Sequence, residues 1–372
     1  MAGRVVVIGA GPSGLAAALG AMARGADVTV IERGEVGESL RSWGPVRFFS
    51  PLAMNVSRTM REILGSALPP DDALLTGPEY VDAVLAPLAA RPPLQGRIRT
   101  HTNVLAVGRR GLTRTDYPGH PLRAERPFRL HLENEESMEA EVVFDAGGGY
   151  AIPNHFGVGG LPARGEGRLG GTVIRTLGAL HDRRDSLRGA RVLLVGHGHS
   201  AANALLMLAS MDAVVTWAVR TANRRPCTEV ANDPLPERQR VVEAANDLAE
   251  NPPRWLTVER RAMIESVSPE ALLTGGRKAS FDVVAAFTGY RPDSRHVSEL
   301  ALEISPVTEG GARVHRALAN VTDCLTVPRL SPSDLSVGEP GYWLIGSRIY
   351  GRSPAFLLQS GFQQIETILA TL

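Results

Sequence analysis

Lysine is nearly missing from this chain: of 40 basic residues, only Lys278 is not arginine. Schiff-base chemistry needs a lysine amine, so that class of enzyme is disfavoured. Cysteine is equally scarce. Cys227 and Cys324 stand far apart with no Cys-x-x-Cys, so a redox dithiol of the thioredoxin type is absent. Structural disulfides are not expected, which fits a reducing cytoplasm. Charge of one sign is lacking too. With 40 basic against 39 acidic residues, bulk charge draws neither nucleic acid nor a membrane surface. No uninterrupted apolar run reaches membrane-spanning length. The stretch from Arg4 to Ala23 resembles a secretion signal only superficially, because glycines interrupt it and Glu32 follows. Metal-ligand spacings, nucleophile motifs and internal repeats beyond the pair described next are also missing.

What is present is a pair of glycine-rich loops, each between an apolar strand and a helix. The first, Gly9-Ala10-Gly11-Pro12-Ser13-Gly14, follows Val5–Ile8. Gly9 allows the tight turn, Gly11 lets backbone approach a pyrophosphate, and Gly14 lets helix pack on strand. The helix from about Pro12 to Arg24 would turn its N-terminal N–H groups and positive dipole end toward the phosphates, with Pro12 and Ser13 in its first turn. A second strand, Asp27–Ile31, delivers Glu32 with Arg33 beside it. A carboxylate at that point accepts from ribose hydroxyls and repels a 2′-phosphate, favouring FAD or NAD over NADP.

The second loop, Gly196-His197-Gly198-His199-Ser200-Ala201, follows Val192–Val195. Its second strand, Ala213–Val219, delivers Arg220, with Arg224 and Arg225 close behind and no acid. A guanidinium fork suits a 2′-phosphate, so this half reads as an NADPH site. Ordinary solvated surface is the competing reading for Arg224 and Arg225.

Between the loops, Ile98–Val107, Phe128–Leu132 and Glu141–Asp145 read as strands. The last runs into Ala146-Gly147-Gly148-Gly149, glycines at a strand end where backbone can approach a ligand. The glycine-rich passage 157–171 reads as a hinge. A helix is predicted over Pro236–Glu250, strands over Phe281–Phe287 and Tyr342–Gly346, and a closing helix over Ser353–Ala370. The expected fold class is α/β with two Rossmann-like units, the NADPH domain (158–285) inserted in a discontinuous FAD domain (1–157 and 286–372).

These residues, in this order, resemble the flavoproteins that nest an NADPH-binding domain inside an FAD-binding domain, among them thioredoxin reductases, flavin-containing monooxygenases, Baeyer–Villiger monooxygenases and amine N-hydroxylases. The resemblance covers nearly the whole chain. It rests on Gly9–Gly14 with Glu32, on Gly196–Ala201, and on Thr288-Gly289-Tyr290 with Pro292. The form of the second loop and the runs Trp43–Pro51 and Tyr350–Gln359 are closer to the monooxygenase branch. One signature of flavin-containing monooxygenases, Phe-x-Gly-x-x-x-His-x-x-x-Tyr or Trp, is broken: with Gly171 as its glycine, Arg175 and Ala179 fill the histidine and aromatic positions.

The resemblance implies FAD on Gly9, Gly11, Pro12, Ser13, Gly14, Glu32, Arg33, Gly147, Gly346, Ser353 and Pro354. It implies NADPH on Gly196, Gly198, His199, Ser200, Arg220 and Arg224. The closing helix, starting at Ser353-Pro354, is expected to aim its N-terminus at the flavin. The activity implied first is a monooxygenase working through a C4a-hydroperoxyflavin on a small molecule, with O2 as co-substrate. A reductase or oxidase without oxygen insertion is the alternative, and a non-catalytic redox sensor the third. Arg47 and Arg352 are candidates for a cation near the flavin, Trp43 and Tyr350 for substrate-site walls, and His155 for a proton donor or a plain surface residue. A cytoplasmic protein, a homodimer as in the resembling families, and no membrane, nucleic-acid or metal partner complete the expectation.

Overall fold

A computed structural model describes residues 3–268 and 270–372. The run Val5-Val6-Val7 is buried on both faces, as a central strand of a parallel sheet must be. Its strand, Arg4–Ile8, sits mid-sheet in the order Tyr342–Leu344, Val142–Asp145, Arg4–Ile8, Asp27–Ile31, Ile98–Arg99, all parallel. The helix Pro12–Met22 buries all of its alanines and leucines and packs against the closing helix, Leu358–Leu369. At Gly20 the two helices come close, and a Cβ there would lie 2.3 Å from Leu369 Cδ1.

The second unit repeats the plan. Its parallel sheet runs Leu256–Arg260, Val214–Val219, Arg191–Val195, Val283–Ala286. Helix Pro236–Glu250 has the expected bounds, with Val241, Val242, Ala245 and Ala249 on its buried face. Two separate parallel sheets with helices and glycine loops confirm the α/β, double-Rossmann architecture. Two three-stranded antiparallel sheets flank them.

Four local expectations are corrected. The Ile98–Val107 run breaks in two, Ile98–Arg99 joining the first sheet and Val104–Arg109 an antiparallel one. His101, at φ +50°, turns the chain between them. The Glu141–Asp145 run begins one residue later, at Val142, and is preceded by a further strand, Ser137–Ala140. The glycine-rich passage after 157 is not the crossing between units. It folds onto the second unit through buried Phe156 and Ala163, and the crossing is a two-stranded ribbon, Ile152–Pro153 against Tyr290–Arg291. The closing helix starts at Leu358, not Ser353. Gly351 turns at φ +62°, Arg352 N–H donates to the Thr308 carbonyl at 2.7 Å, and Pro354 disfavours a helical Ser353. Ser353 and Pro354 therefore form a non-helical approach to that helix.

Candidate cofactor cleft

Gly9 leaves its strand at φ +100°, and a Cβ there would lie 2.7 Å from the Ala146 carbonyl oxygen. At Gly14 a Cβ would be driven to 1.9 Å from the Gly9 oxygen, whereas Gly11 faces open space. Gly9 thus makes the turn and Gly14 the close helix–strand packing, while Gly11 stays open. Gly11 supplies no side-chain cap to the helix that follows, so its first N–H groups stay available for an anion. Glu32 stands at the end of the second strand. Its Oε2 accepts from Ala10 N–H at 2.8 Å and its Oε1 from Gly34 N–H at 3.0 Å. Each oxygen retains acceptor capacity for a ribose hydroxyl. Arg33 is exposed on the same rim.

Two further turns close around this loop. Gly346, at φ +62°, has Ser13 Oγ only 2.5 Å from where its Cβ would be, which sets the turn after the last strand against the opening helix. Gly147 donates its N–H to Asp145 Oδ1 at 3.0 Å. Glycine loop, Gly147 turn, Gly346 turn and the Ser353-Pro354 segment all line one cavity of about 1790 Å³.

The second loop lines the same cavity. Gly196, at φ +115°, has the Phe287 oxygen 2.4 Å from its would-be Cβ, and Gly198 faces open space. His199 and Ser200 open the following helix. Arg220 Nε lies 3.3 Å from His197 Nε2, so the strand-end arginine lies against the loop. Burial, then the neighbouring Arg220 charge, pushes the His197 pKa down. Arg224 lies outside the cavity lining and pairs with Glu250 at 3.3 Å. Arg225 is committed to Glu229, Asp247 and Glu250. Both are held in ion pairs outside the cavity lining, whereas Arg220, at the end of its strand, lines the cavity.

The suggested catalytic residues separate. Trp43 lines the cavity with its ring 4.8 Å from Phe48. Arg47 also lines it, but its guanidinium donates to the Leu74 carbonyl. Arg352 lines it and pairs with Glu309 at 3.5 Å, a carboxylate already held by Arg291. Tyr350 is a correction. It is buried, does not line the cavity, and packs edge-on to Phe356 at 5.4 Å. His155, at the cavity edge, contacts the buried Glu166 at 3.0 Å, which also holds Arg175.

A pairing with no local motif was missed. Asp145, fully buried, takes Arg348 Nε at 3.2 Å, His296 Nε2 at 3.1 Å and Tyr342 OH at 3.1 Å on a single oxygen. Burial alone would raise the Asp145 pKa, but Arg348 and His296 outweigh it and hold the carboxyl well below its usual range. Tyr150, just before the inter-unit ribbon, and Tyr290 on it, also unforeseen as a pair, meet edge-to-face at 5.8 Å and line the cavity.

The model of the pyridine nucleotide-disulphide oxidoreductases matches residues 3–320. The chain belongs to that family. Curated proteins give no match to it. Solved structures do. A bacillithiol disulfide reductase from Bacillus cereus aligns over 100% of this chain and 98% of its own at 18% identity, TM-score 0.74. A Lactococcus lactis thioredoxin reductase aligns over 100% of both chains at 14% identity, TM-score 0.63. A flavin-containing monooxygenase from Stenotrophomonas maltophilia aligns over 100% and 99% at 17% identity, TM-score 0.60. At such identities these likenesses show the shared fold. The family binds FAD and NAD(P)H in general, and the chain is accordingly an FAD- and NAD(P)-dependent oxidoreductase.

For a member of a family named after disulphide chemistry, the thiols matter. Cys227 is buried, and burial pushes its pKa up to about 12. Cys324 is half-buried on the cavity wall, 3.3 Å from Arg238 Nη1. Burial, then Asp323, raises its pKa despite that arginine. At both thiols burial thus disfavours the thiolate, the reactive form. Among the described residues no group of His, Cys, Asp and Glu could hold a metal, and no helix is long and apolar enough to cross a membrane.

Proposed function

We propose that this oxidoreductase uses NADPH at Gly196–Ala201 to reduce FAD at Gly9–Gly14, and that the electrons pass directly to O2 and a small molecule in the shared cleft, as in a monooxygenase. One observation carries this reading: both loops border one cavity, and its two thiols, Cys227 and Cys324, are free and belong to no Cys-x-x-Cys. That argues against a protein dithiol relay of the Cys-x-x-Cys type between flavin and substrate. The cavity, about 1790 Å³, exceeds the roughly 300–1,000 Å³ that one drug-sized ligand fills, leaving room for more than one ligand. Bound FAD would supply the hydride acceptance and oxygen chemistry. Residues of the chain hold and surround it: Glu32 at the ribose, the Gly11–Ser13 turn at the phosphates, and Trp43 with the Tyr150–Tyr290 pair as aromatic walls for a substrate.

A second reading has its own support. The higher TM-score, 0.74 against 0.60, goes to the bacillithiol disulfide reductase, so direct reduction of a low-molecular-weight disulfide is the competing activity. The decisive experiment supplies NADPH and ¹⁸O2 with a panel of amines, sulfides and ketones, and in parallel NADPH with low-molecular-weight disulfides under anaerobic conditions. Label in an organic product supports oxygenation. Thiol release without oxygen, with no label in any product, replaces it with the reductase.

A further inference from the structure

Outside the two glycine loops, one histidine of the cleft is built like an acid–base group. His155 lines the cavity with its ring half exposed. Its Nδ1 lies 3.0 Å from Oε1 of Glu166, a carboxylate only 5% exposed. Glu166 does not need that contact. Oε1 also accepts from Arg175 Nη2 at 3.0 Å, and Oε2 accepts from Ala163 N–H at 2.9 Å, so the buried charge is already paired and hydrogen-bonded. What the contact fixes is the histidine. An ionised carboxylate only accepts, so Nδ1 carries a proton and Nε2 is the nitrogen left to exchange one. Among the described residues Nε2 has no protein partner.

The backbone around His155 is braced between the two loops. One arm of the inter-unit ribbon leaves the first loop at Ala146, whose carbonyl sits against Gly9, and the other leaves the second loop at Phe287, whose carbonyl sits against Gly196. Asn154 ties the arms together. Its N–H donates to Gly289 O at 2.9 Å, and its carbonyl accepts from Thr288 Oγ1 at 3.0 Å and Arg175 Nη1 at 2.9 Å. His155 follows directly, and Phe156 after it is buried. A side chain on a segment held this way keeps its direction.

The proposed oxidation of NADPH by O2 consumes a proton. NADPH, O2 and one H⁺ give NADP⁺ and H2O2 or, with oxygen transfer, NADP⁺, an oxygenated product and water. The hydride accounts for both electrons and one hydrogen, so the second hydrogen arrives as a proton. We propose that His155 supplies it as a general acid, and that Glu166 is the residue that positions the ring. In the charged ring the Nε2–H bond breaks and an O–H bond forms on the oxygen that leaves as peroxide or water. The neutral ring then takes a new proton from solvent at its exposed edge, and no electrons pass through it. The inference rests on the oxygen-using reading of this cleft.

Two measurements test this. In flavin-free protein, ¹⁵N-histidine NMR shows neutral His155 as the Nδ1–H tautomer, its resonances assigned by their loss in His155→Asn, and Glu166→Gln releases the ring toward the Nε2–H form. A wild-type ring in the Nε2–H form overturns the proposal, and an unchanged tautomer in Glu166→Gln removes Glu166 from its role. If Glu166→Gln does not fold, the wild-type tautomer decides. In stopped flow, holoenzyme reduced anaerobically by NADPH is mixed with O2 alone. His155→Asn keeps an amide donor toward Glu166 but no transferable proton, so reoxidation slows about 100-fold, a larger loss than on reduction by NADPH. Added imidazole restores much of the lost rate to His155→Ala. Reoxidation of His155→Asn within about threefold of wild type overturns the proposal. So does a slowed reaction that imidazole does not restore, which leaves His155 as a brace for its own loop. Failure of the oxygen-using reading shows separately, as wild-type reduced flavin that a low-molecular-weight disulfide reoxidises and O2 scarcely does.

Discussion

Glu32 and Arg220 end equivalent strands with opposite charge, and that difference carries the cofactor assignment. Arg220→Asp is expected to raise the Kd for NADPH about 10–100-fold and leave NADH nearly unchanged, since only NADPH has the 2′-phosphate a guanidinium fork would grip. Equal loss for both nucleotides in a binding titration would move the phosphate site elsewhere. At Glu32 the carboxylate holds Ala10 and Gly34 N–H groups, so Glu32→Gln places an N–H₂ against one of two donors. Protein purified with that change should carry less flavin per chain by absorbance, with little loss at the second site. Asp145 gives a pH prediction. Its folded pKa is depressed, so its ionised form adds stability that is fully present above the ordinary aspartate value of about 3.9 and lost as pH falls through the folded value. Denaturant midpoints of wild type and Asp145→Asn should still differ at about pH 5. The gap should narrow only below about pH 4. A gap that closes near neutrality would mean the carboxylate is not held by Arg348.

At the scale of elements, the strand–loop–helix unit separates glycines that fold from glycines that bind. Gly14→Ala meets the Gly9 carbonyl at 1.9 Å, a backbone atom that cannot swing away, whereas Gly11→Ala meets nothing. Gly14→Ala should thus lower Tm by several degrees, about 1–3 kcal/mol of overpacking. Gly11→Ala should keep Tm and weaken FAD, because its Cβ occupies the approach to the pyrophosphate. A reversed pattern in thermal melts and FAD titrations would refute the division. Both loops, their strands and the Pro236–Glu250 helix were legible in the sequence because each is a local pattern: an apolar run, spaced glycines, or a 3.6-residue period ended by prolines. The start of the closing helix was not. It depends on Arg352 N–H reaching Thr308 across 44 residues of chain, and a proline that suits a first helical turn equally suits an extended lead-in. Tyr350 was misplaced for a related reason, since side-chain direction at a turn is set by the helix it packs on. Asp145, His296 and Arg348 are joined across separations of up to 203 residues, and no spacing rule links them.

Over the whole molecule, the two units are joined by more than the Ile152–Tyr290 ribbon. Arg238, buried on the helix of the second unit, chelates Asp233 at 2.6 and 2.7 Å and also reaches Asp323 of the first unit at 2.7 Å. Phe49 of the first unit packs on the core of the second and meets His199 edge-on at 5.2 Å, and Gly178 N–H donates to Ser42 O at 3.0 Å. These contacts hold the two glycine loops on one cavity, and only one of them is an ion pair whose removal leaves both cores intact. Asp323→Asn keeps Arg238 paired with Asp233, so the stability loss should be small, about 1 kcal/mol. Arg238→Met strands two carboxylates, one of them buried, and should lose about 3–5 kcal/mol. The informative variant is therefore Asp323→Asn. Hydrogen exchange should speed up at Ile152, Tyr290 and Arg291, where a loosened interface opens the ribbon, while FAD affinity stays at the wild-type value because none of the FAD-site residues moves. The rate of flavin reduction by NADPH should fall with it, since that step needs both loops on the same cavity. If exchange at the ribbon and the reduction rate are both unchanged, Phe49 and Gly178 hold the units by themselves and Asp323 is only the solvent-side partner of an already satisfied arginine.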